Sequence, residues 1–200
     1  MWWLGIWNLF PDAELADWSN EEQATHDINH ATDLLGETLP ARVAADWAEC
    51  ALPALKEWSP DDPVWEGWSP SQEPQEAIAA TRAWADSPCV DFATLAEAAA
   101  DSAELAADAA HSFDGVRLVR PMRAVTAANA TWCVAYGNAA YAAWSAGYCT
   151  VEQSRADTVE AAWSCATWAA LTADDPDAEC DWQRLRLAAY VLGEVEAKQP

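Results

Sequence analysis

Ala44-Ala45-Asp46-Trp47-Ala48-Glu49-Cys50-Ala51-Leu52-Pro53-Ala54-Leu55-Lys56-Glu57-Trp58 and, past a loop, Pro74-Gln75-Glu76-Ala77-Ile78-Ala79-Ala80-Thr81-Arg82-Ala83-Trp84-Ala85 are the two segments around which the rest of the chain reads. Both are dominated by alanine and other strong helix formers, so each predicts a helix. In the first, Val43, Trp47, Cys50, Ala54 and Trp58 recur near period 3.6, with Pro40 at its start. A kink is expected at Pro53, whose ring meets the Glu49 carbonyl. Residues 59–73 form the one long breaker-rich stretch, with Pro60, Pro63, Pro70 and the pair Trp65 and Trp68. Loops of that length inside compact domains are often functional.

Toward the N-terminus, Ser19-x-x-Glu22 is a capping box and Gly36 a C-cap, predicting a helix over 20–35 with Ala24, Ile28, Ala31 and Leu35 facing inward. Before it, Trp2, Trp3, Ile6, Trp7 and Phe10 have helical spacing and read as a turn or two docked on the core. This opening is not read as a signal peptide, because the first cationic side chain is Arg42.

Toward the C-terminus, 92–113 predicts a helix with Phe92, Leu95, Ala99, Ala106, Ala109 and Phe113 inward and Glu97, Asp101, Glu104 and Asp108 outward. Arg117, Arg120 and Arg123 follow and are expected to pair with acidic neighbours. A long helix over 121–148 is interrupted at Gly137 and again at Gly147. Thr150-x-x-Gln153 caps a helix over 151–172 with Val151, Val159, Ala162, Ala166 and Ala169 inward. Asp174-Asp175-Pro176 reads as a break, after which 182–195 forms the last helix through Leu185, Leu187, Val191 and Leu192. The expectation is one all-α domain over 1–200, a bundle or short solenoid of six to eight antiparallel alanine-rich helices. Within it, 1–39 is a Trp-rich cap, 40–112 the core and 113–200 additional helices.

Thirty-three Asp and Glu stand against 10 Lys and Arg, for a net charge of −23. So negative a chain repels nucleic acid and anionic membranes and favours a basic protein partner. Solubility, or a salty cytoplasm, is the competing account of the same charge. The 14 Trp are expected to be core residues for the most part, with a few exposed as binding anchors. Six scattered Cys, at 50, 89, 133, 149, 165 and 180, show no Cys-x-x-Cys spacing and read as free, mostly buried thiols of a cytoplasmic protein.

Chemistry-bearing motifs are scarce. Glu22, His26, His30 and Asp33 share one helical face, and imidazoles at i and i+4 can share zinc. His-Glu-x-x-His is missing, however, and the remaining histidine, His111, is distant in sequence. Neither a Gly-x-Ser-x-Gly elbow nor a phosphate-binding glycine loop occurs. The reading is therefore a protein that is not an enzyme, with no cofactor and no metal; a metal-dependent enzyme using Glu22, His26 and His30 is the alternative from another class.

Trp47-Ala48-Glu49-Cys50-Ala51 running into Leu52-Pro53-Ala54-Leu55, a Pro/Asp loop, then Pro74-Gln75-Glu76-Ala77-Ile78 and Ala80-Thr81-Arg82-Ala83-Trp84-Ala85 resemble a helical family of immunity proteins from bacterial polymorphic-toxin loci, the immunity-protein-five-like family. The resemblance spans about residues 40–112. It implies an all-α domain that binds and neutralises a cognate toxin, and it assigns no functional residues. Trp132, Cys133, Trp163 and Trp168 stand where the family leads one to expect histidines. Charge and resemblance together predict an acidic inhibitor of a basic protein, such as a nuclease toxin, without direct nucleic-acid or membrane binding. Trp65 and Trp68 are its expected anchors, and Glu97, Asp101, Glu104 and Asp108 its steering charges. A phage-type DNA mimic, such as an anti-CRISPR, is the runner-up.

Overall fold

A computed structural model describes residues 20–52, 72–117, 137–150, 154–173 and 175–193; for residues 20, 109 and 111–117 it describes the backbone alone. Among the described residues the protein is all-helical, with seven packed helices and no strand. These are α1 (Asn20–Leu35), α2 (Leu39–Ala51), α3 (Glu73–Asp86), α4 (Val90–Arg117), α5 (residues 137–148), α6 (Arg155–Thr172) and α7 (Pro176–Val191).

Helix α2 is the centre of the bundle. Pro40 sits in its first turn, where a missing N–H costs nothing. Leu39, Val43, Ala44, Trp47, Ala48 and Ala51 are among its buried residues, spread round most of the helix. Such burial requires neighbours on several sides, and α1, α3, α6 and α7 all pack against it. Trp47 is the largest fully buried side chain of the described core.

Ion pairs give the helix directions. Arg42 near the start of α2 reaches Asp86 at the end of α3 (2.7 Å), and Asp46, one turn on, reaches Arg82, one turn back (2.9 Å). The α2/α3 pair is therefore antiparallel. By the same logic Asn138 on α5 donates to the Leu171 carbonyl of α6, while Cys149 just past α5 lies against Thr158. These two helices are antiparallel as well.

Alanine makes up most of the buried apolar set, so the helices approach closely and phase on their small residues. On α4 the buried stripe is Ala96, Ala100, Ala103, Ala107 and Ala110, spaced four and three like a coiled-coil seam. The expected inward face was a different one: Leu95 is 59% exposed, and Phe92, Ala99 and Ala106 are only half-buried. Leucine is too bulky for the close α4/α5 crossing, where Gly147 meets α4. A Cβ on Gly147 would lie 2.5 Å from the Ala100 Cβ and 3.1 Å from the Ala96 carbonyl oxygen.

Helix ends follow local chemistry. Gly36 adopts φ 100, and its N–H bonds the Thr32 carbonyl, which ends α1 where the sequence placed the stop. Leu35 beside it is exposed rather than inward, because the chain is already turning away. Helix α6 is capped by Ser154, whose Oγ accepts from the Asp157 N–H, and not by Thr150. The Thr150 hydroxyl instead donates to the Gly147 carbonyl at the end of α5. Asp175-Pro176 begins α7 rather than breaking the chain: Asp175 accepts from the Ala178 N–H and Pro176 occupies the first turn. Consequently α7 buries Cys180, Gln183, Leu187 and Tyr190, while Leu185 (61%) and Leu192 (70%) are exposed.

Asp46 ties three helices together. It is nearly buried, and its two oxygens accept from Arg82 of α3 and from Arg186 and Tyr190 of α7, each within 2.9 Å. Arg155 of α6 similarly holds α1 through Asp33 and the Asn29 carbonyl. In a chain with so few cations, these arginines are spent between helices. No helix among the described residues is long and apolar enough to cross a membrane.

Candidate partner-binding face

Glu97, Asp101, Glu104 and Asp108 form one stripe along α4, spaced four, three and four. Each lies one residue after a member of the buried stripe Ala96, Ala100, Ala103 and Ala107. One residue is 100° of rotation on a helix, so the acids flank the core seam on its α5 side rather than pointing directly away from it. Glu97, Asp101 and Asp108 are exposed and Glu104 half-buried. Among the described residues, no arginine pairs with any of them.

Across the seam, α5 carries Tyr141, Trp144 and Tyr148 at i, i+3 and i+7, which places them on one face. They form a continuous row with Trp168 of α6. Trp168 stacks on Tyr141 at 4.7 Å between ring centroids, Tyr141 meets Trp144 edge-on at 6.0 Å, and Trp144 meets Tyr148 edge-on at 5.1 Å. All four rings are half-buried, packing one side and offering the other.

Acid stripe and aromatic row are linked. The Tyr141 hydroxyl donates to Asp108, and that bond with partial burial pushes the phenol up to about 12. Tyr148 is likewise raised, by burial and then by the negative field of Asp101 and Glu104. Both phenols are therefore neutral at physiological pH and available as donors and as π-faces. On the other side of the row, α6 presents Asp157 and Glu160 across a cleft of about 280 Å³ that Trp144, Ser145 and Tyr148 line from α5. Carboxylates border the rings on both sides, an arrangement that attracts cationic, planar groups.

Trp65 and Trp68, the anchors expected from sequence, lie outside the described residues. The aromatic row was missed, although the spacing of Tyr141, Trp144 and Tyr148 within an alanine helix signalled it. Core burial of most tryptophans does not hold among the described ones. Only Trp47 is fully buried, while Trp84, Trp144, Trp163, Trp168 and Trp182 pack partly exposed against the core. An indole is large and carries an N–H, so it settles at the rim of a core made of alanine.

The other candidate centres are the histidine pair and the cysteines. His26 and His30 lie with ring centroids 6.1 Å apart, and Asp33 from the same face is engaged by Arg155. Among the described residues no group of three His, Cys, Asp or Glu side chains could hold a metal ion. Cys50, Cys89, Cys149, Cys165 and Cys180 are free, and the last three are buried. Burial pushes Cys50 up to about 12 and Cys180 to about 11, and Cys165 well above its ordinary range. These three stay protonated and unreactive at neutral pH. Cys133 lies outside the described residues.

No family model, no curated protein and no solved structure matches this chain.

Proposed function

We propose that the protein acts by binding: an acidic, all-helical inhibitor, of immunity type, that neutralises a basic protein, with a nuclease toxin as the target class. The observation that carries this reading is the carboxylate stripe Glu97–Asp101–Glu104–Asp108, which holds no arginine or lysine among the described residues, lying directly beside the aromatic row Tyr141–Trp144–Tyr148. The stripe, within a net charge of −23, steers a cationic partner at the encounter, and the half-buried rings supply short-range contact. The arginines whose side chains are described are committed between helices or along α7 and leave this face unneutralised among the described residues; the side chains of Arg117, Arg120 and Arg123, expected to pair with acidic neighbours, lie outside them. The resemblance over 40–112 supports the immunity reading from a separate direction. Neither nucleic acid nor an anionic membrane suits such a surface, and no catalysis is proposed.

The test is affinity capture from the native host with the wild-type chain and with Glu97→Gln/Asp101→Asn/Glu104→Gln, which leaves the Tyr141–Asp108 bond in place. The expected result is a basic protein retained by the wild type and lost from the variant, whose activity, assayed on nucleic acid, is abolished by stoichiometric wild-type protein. A neutral or acidic partner, or capture unaffected by the three substitutions, would overturn the proposal.

A further inference from the structure

The cleft between α5 and α6 contains a feature that packing does not explain. Ser145 is 2% exposed and lines the cleft, yet among the described residues its hydroxyl has no hydrogen-bond partner. Helical serines and threonines commonly bond the carbonyl four residues back. Thr32, Thr81, Ser102, Thr158, Thr167 and Thr172 all do so here. Ser145 forgoes the equivalent bond. An unmade bond on a buried hydroxyl is costly, and it is expected where a ligand completes the site.

We infer that the cleft is a receptor for one arginine side chain of the basic partner. The inference rests on the partner reading above and adds to it the residue recognised and the place. One wall is aromatic, from Trp144 and Tyr148; the facing wall supplies Glu160 and Asp157 from α6. The Asp157 carboxylate already accepts from the Ser154 hydroxyl at the helix cap, whereas Glu160 is exposed and holds no arginine or lysine among the described residues. Ser145, with Ser164 nearby, provides neutral acceptors. The hydroxyls and carboxylates of the lining accept hydrogen bonds, while the Trp144 indole N–H, itself buried without a partner among the described residues, only donates; the net charge is negative, which disfavours anions and favours a donor-rich cation. A guanidinium fits better than an ammonium. It is planar, stacks on an indole or phenol face, is weakly hydrated, and offers a fork of N–H donors to the Glu160 carboxylate with one left for the Ser145 oxygen.

The experiment uses the full chain labelled with 15N at its indole nitrogens, with the Trp144 resonance assigned by Trp144→Phe. Nα-acetyl-arginine methylamide and the matching lysine compound are titrated separately at fixed salt. The arginine compound is expected to shift the Trp144 resonance saturably, and the lysine compound to bind at least about fivefold more weakly. Glu160→Gln, an exposed substitution that leaves the fold intact, is expected to weaken arginine binding about tenfold. Ser145→Ala is expected to weaken it a few-fold while raising the thermal midpoint, because it removes a buried hydroxyl without a partner. That pairing separates a ligand group from a merely structural one. No saturable shift, equal response to the two compounds, or indifference to Glu160→Gln overturns the inference. Such a result leaves the partner reading standing if capture of a basic protein by the α4 stripe persists.

Discussion

Replacing Asp46 by Asn should show how much of this bundle hangs on one carboxylate. Asparagine keeps the shape but removes the charge and turns one acceptor into a donor. Arg82 retains Glu49 at 2.6 Å, so its loss is small. Arg186 and Tyr190 share the second Asp46 oxygen, and Arg186 also bonds Tyr190, so an asparagine carbonyl placed there still accepts from both, without the charge. The Arg186 side chain is 33% exposed and can turn to water, which limits its share to about 1 kcal/mol. The Tyr190 residue is only 6% exposed, and exchanging its charged acceptor for a neutral one costs about 1 kcal/mol. The sum is about 2 kcal/mol, below the range for removing one member of a fully buried pair, and for a chain of this size it lowers Tm by about 4–8 °C. Urea unfolding followed by far-ultraviolet circular dichroism at neutral pH measures it. Asp86→Asn is the control, since the Arg42–Asp86 pair has its carboxylate 47% exposed and should cost under about 1 kcal/mol. If Asp46→Asn costs no more than Asp86→Asn, the three-helix tie is not what holds α3 and α7 to α2.

Gly147→Ala should destabilise by about 1–2 kcal/mol: the gain in helix propensity is outweighed by a Cβ placed 2.5 Å from that of Ala100. Thermal unfolding checks it, and an unchanged or raised midpoint would contradict the close α4/α5 crossing. Tyr190 is pushed up to about 12 by burial and then by Asp46, so its contribution is intact below the ordinary phenol range near 10 and lost as pH rises toward 12. The urea midpoint should fall over that window, and less steeply in Tyr190→Phe. Burial also raises Glu179, so the folded state favours its neutral form and the charged form costs stability above the folded pKa. Glu179→Gln should therefore raise Tm at pH 7, and the gain should vanish near about pH 4, where the native carboxyl carries its proton.

Local signals were legible wherever a single residue type decides the geometry. Gly36 marked the end of α1 because glycine takes the left-handed φ of 100 that turns the chain out of the helix once its N–H has closed onto Thr32. The inward faces of α1 and α6 were also readable, since Ala24, Ile28 and Ala31, and Val159, Ala162, Ala166 and Ala169, are all buried. The face of α4 was not, because leucines are the natural guide to a core and this core is built on alanine. Leu95 and Leu105 stand outside while five alanines define the seam. Asp175-Pro176 was read as a stop, although the same two residues cap and open α7; in sequence a break and a start look alike. At the candidate face, the acid stripe was legible from its spacing. Its neighbour on α5 was not, because which helix packs beside α4 is decided by Gly147 meeting Ala100, a tertiary fact. The tie at Asp46 was invisible for the same reason, as Arg82 and Arg186 lie 36 and 140 residues away along the chain.

The measurement that tests the binding account most directly is the association rate with the captured partner, followed by surface plasmon resonance across a salt series. Steering by the α4 stripe predicts that the rate falls by about tenfold or more between low and high salt. The dependence should flatten in Glu97→Gln/Asp101→Asn/Glu104→Gln, with the dissociation rate little changed. Trp144→Ala should do the reverse, raising dissociation and leaving the salt dependence intact. An association rate indifferent to salt in the wild type would contradict the account, and would leave the charge of −23 to solubility.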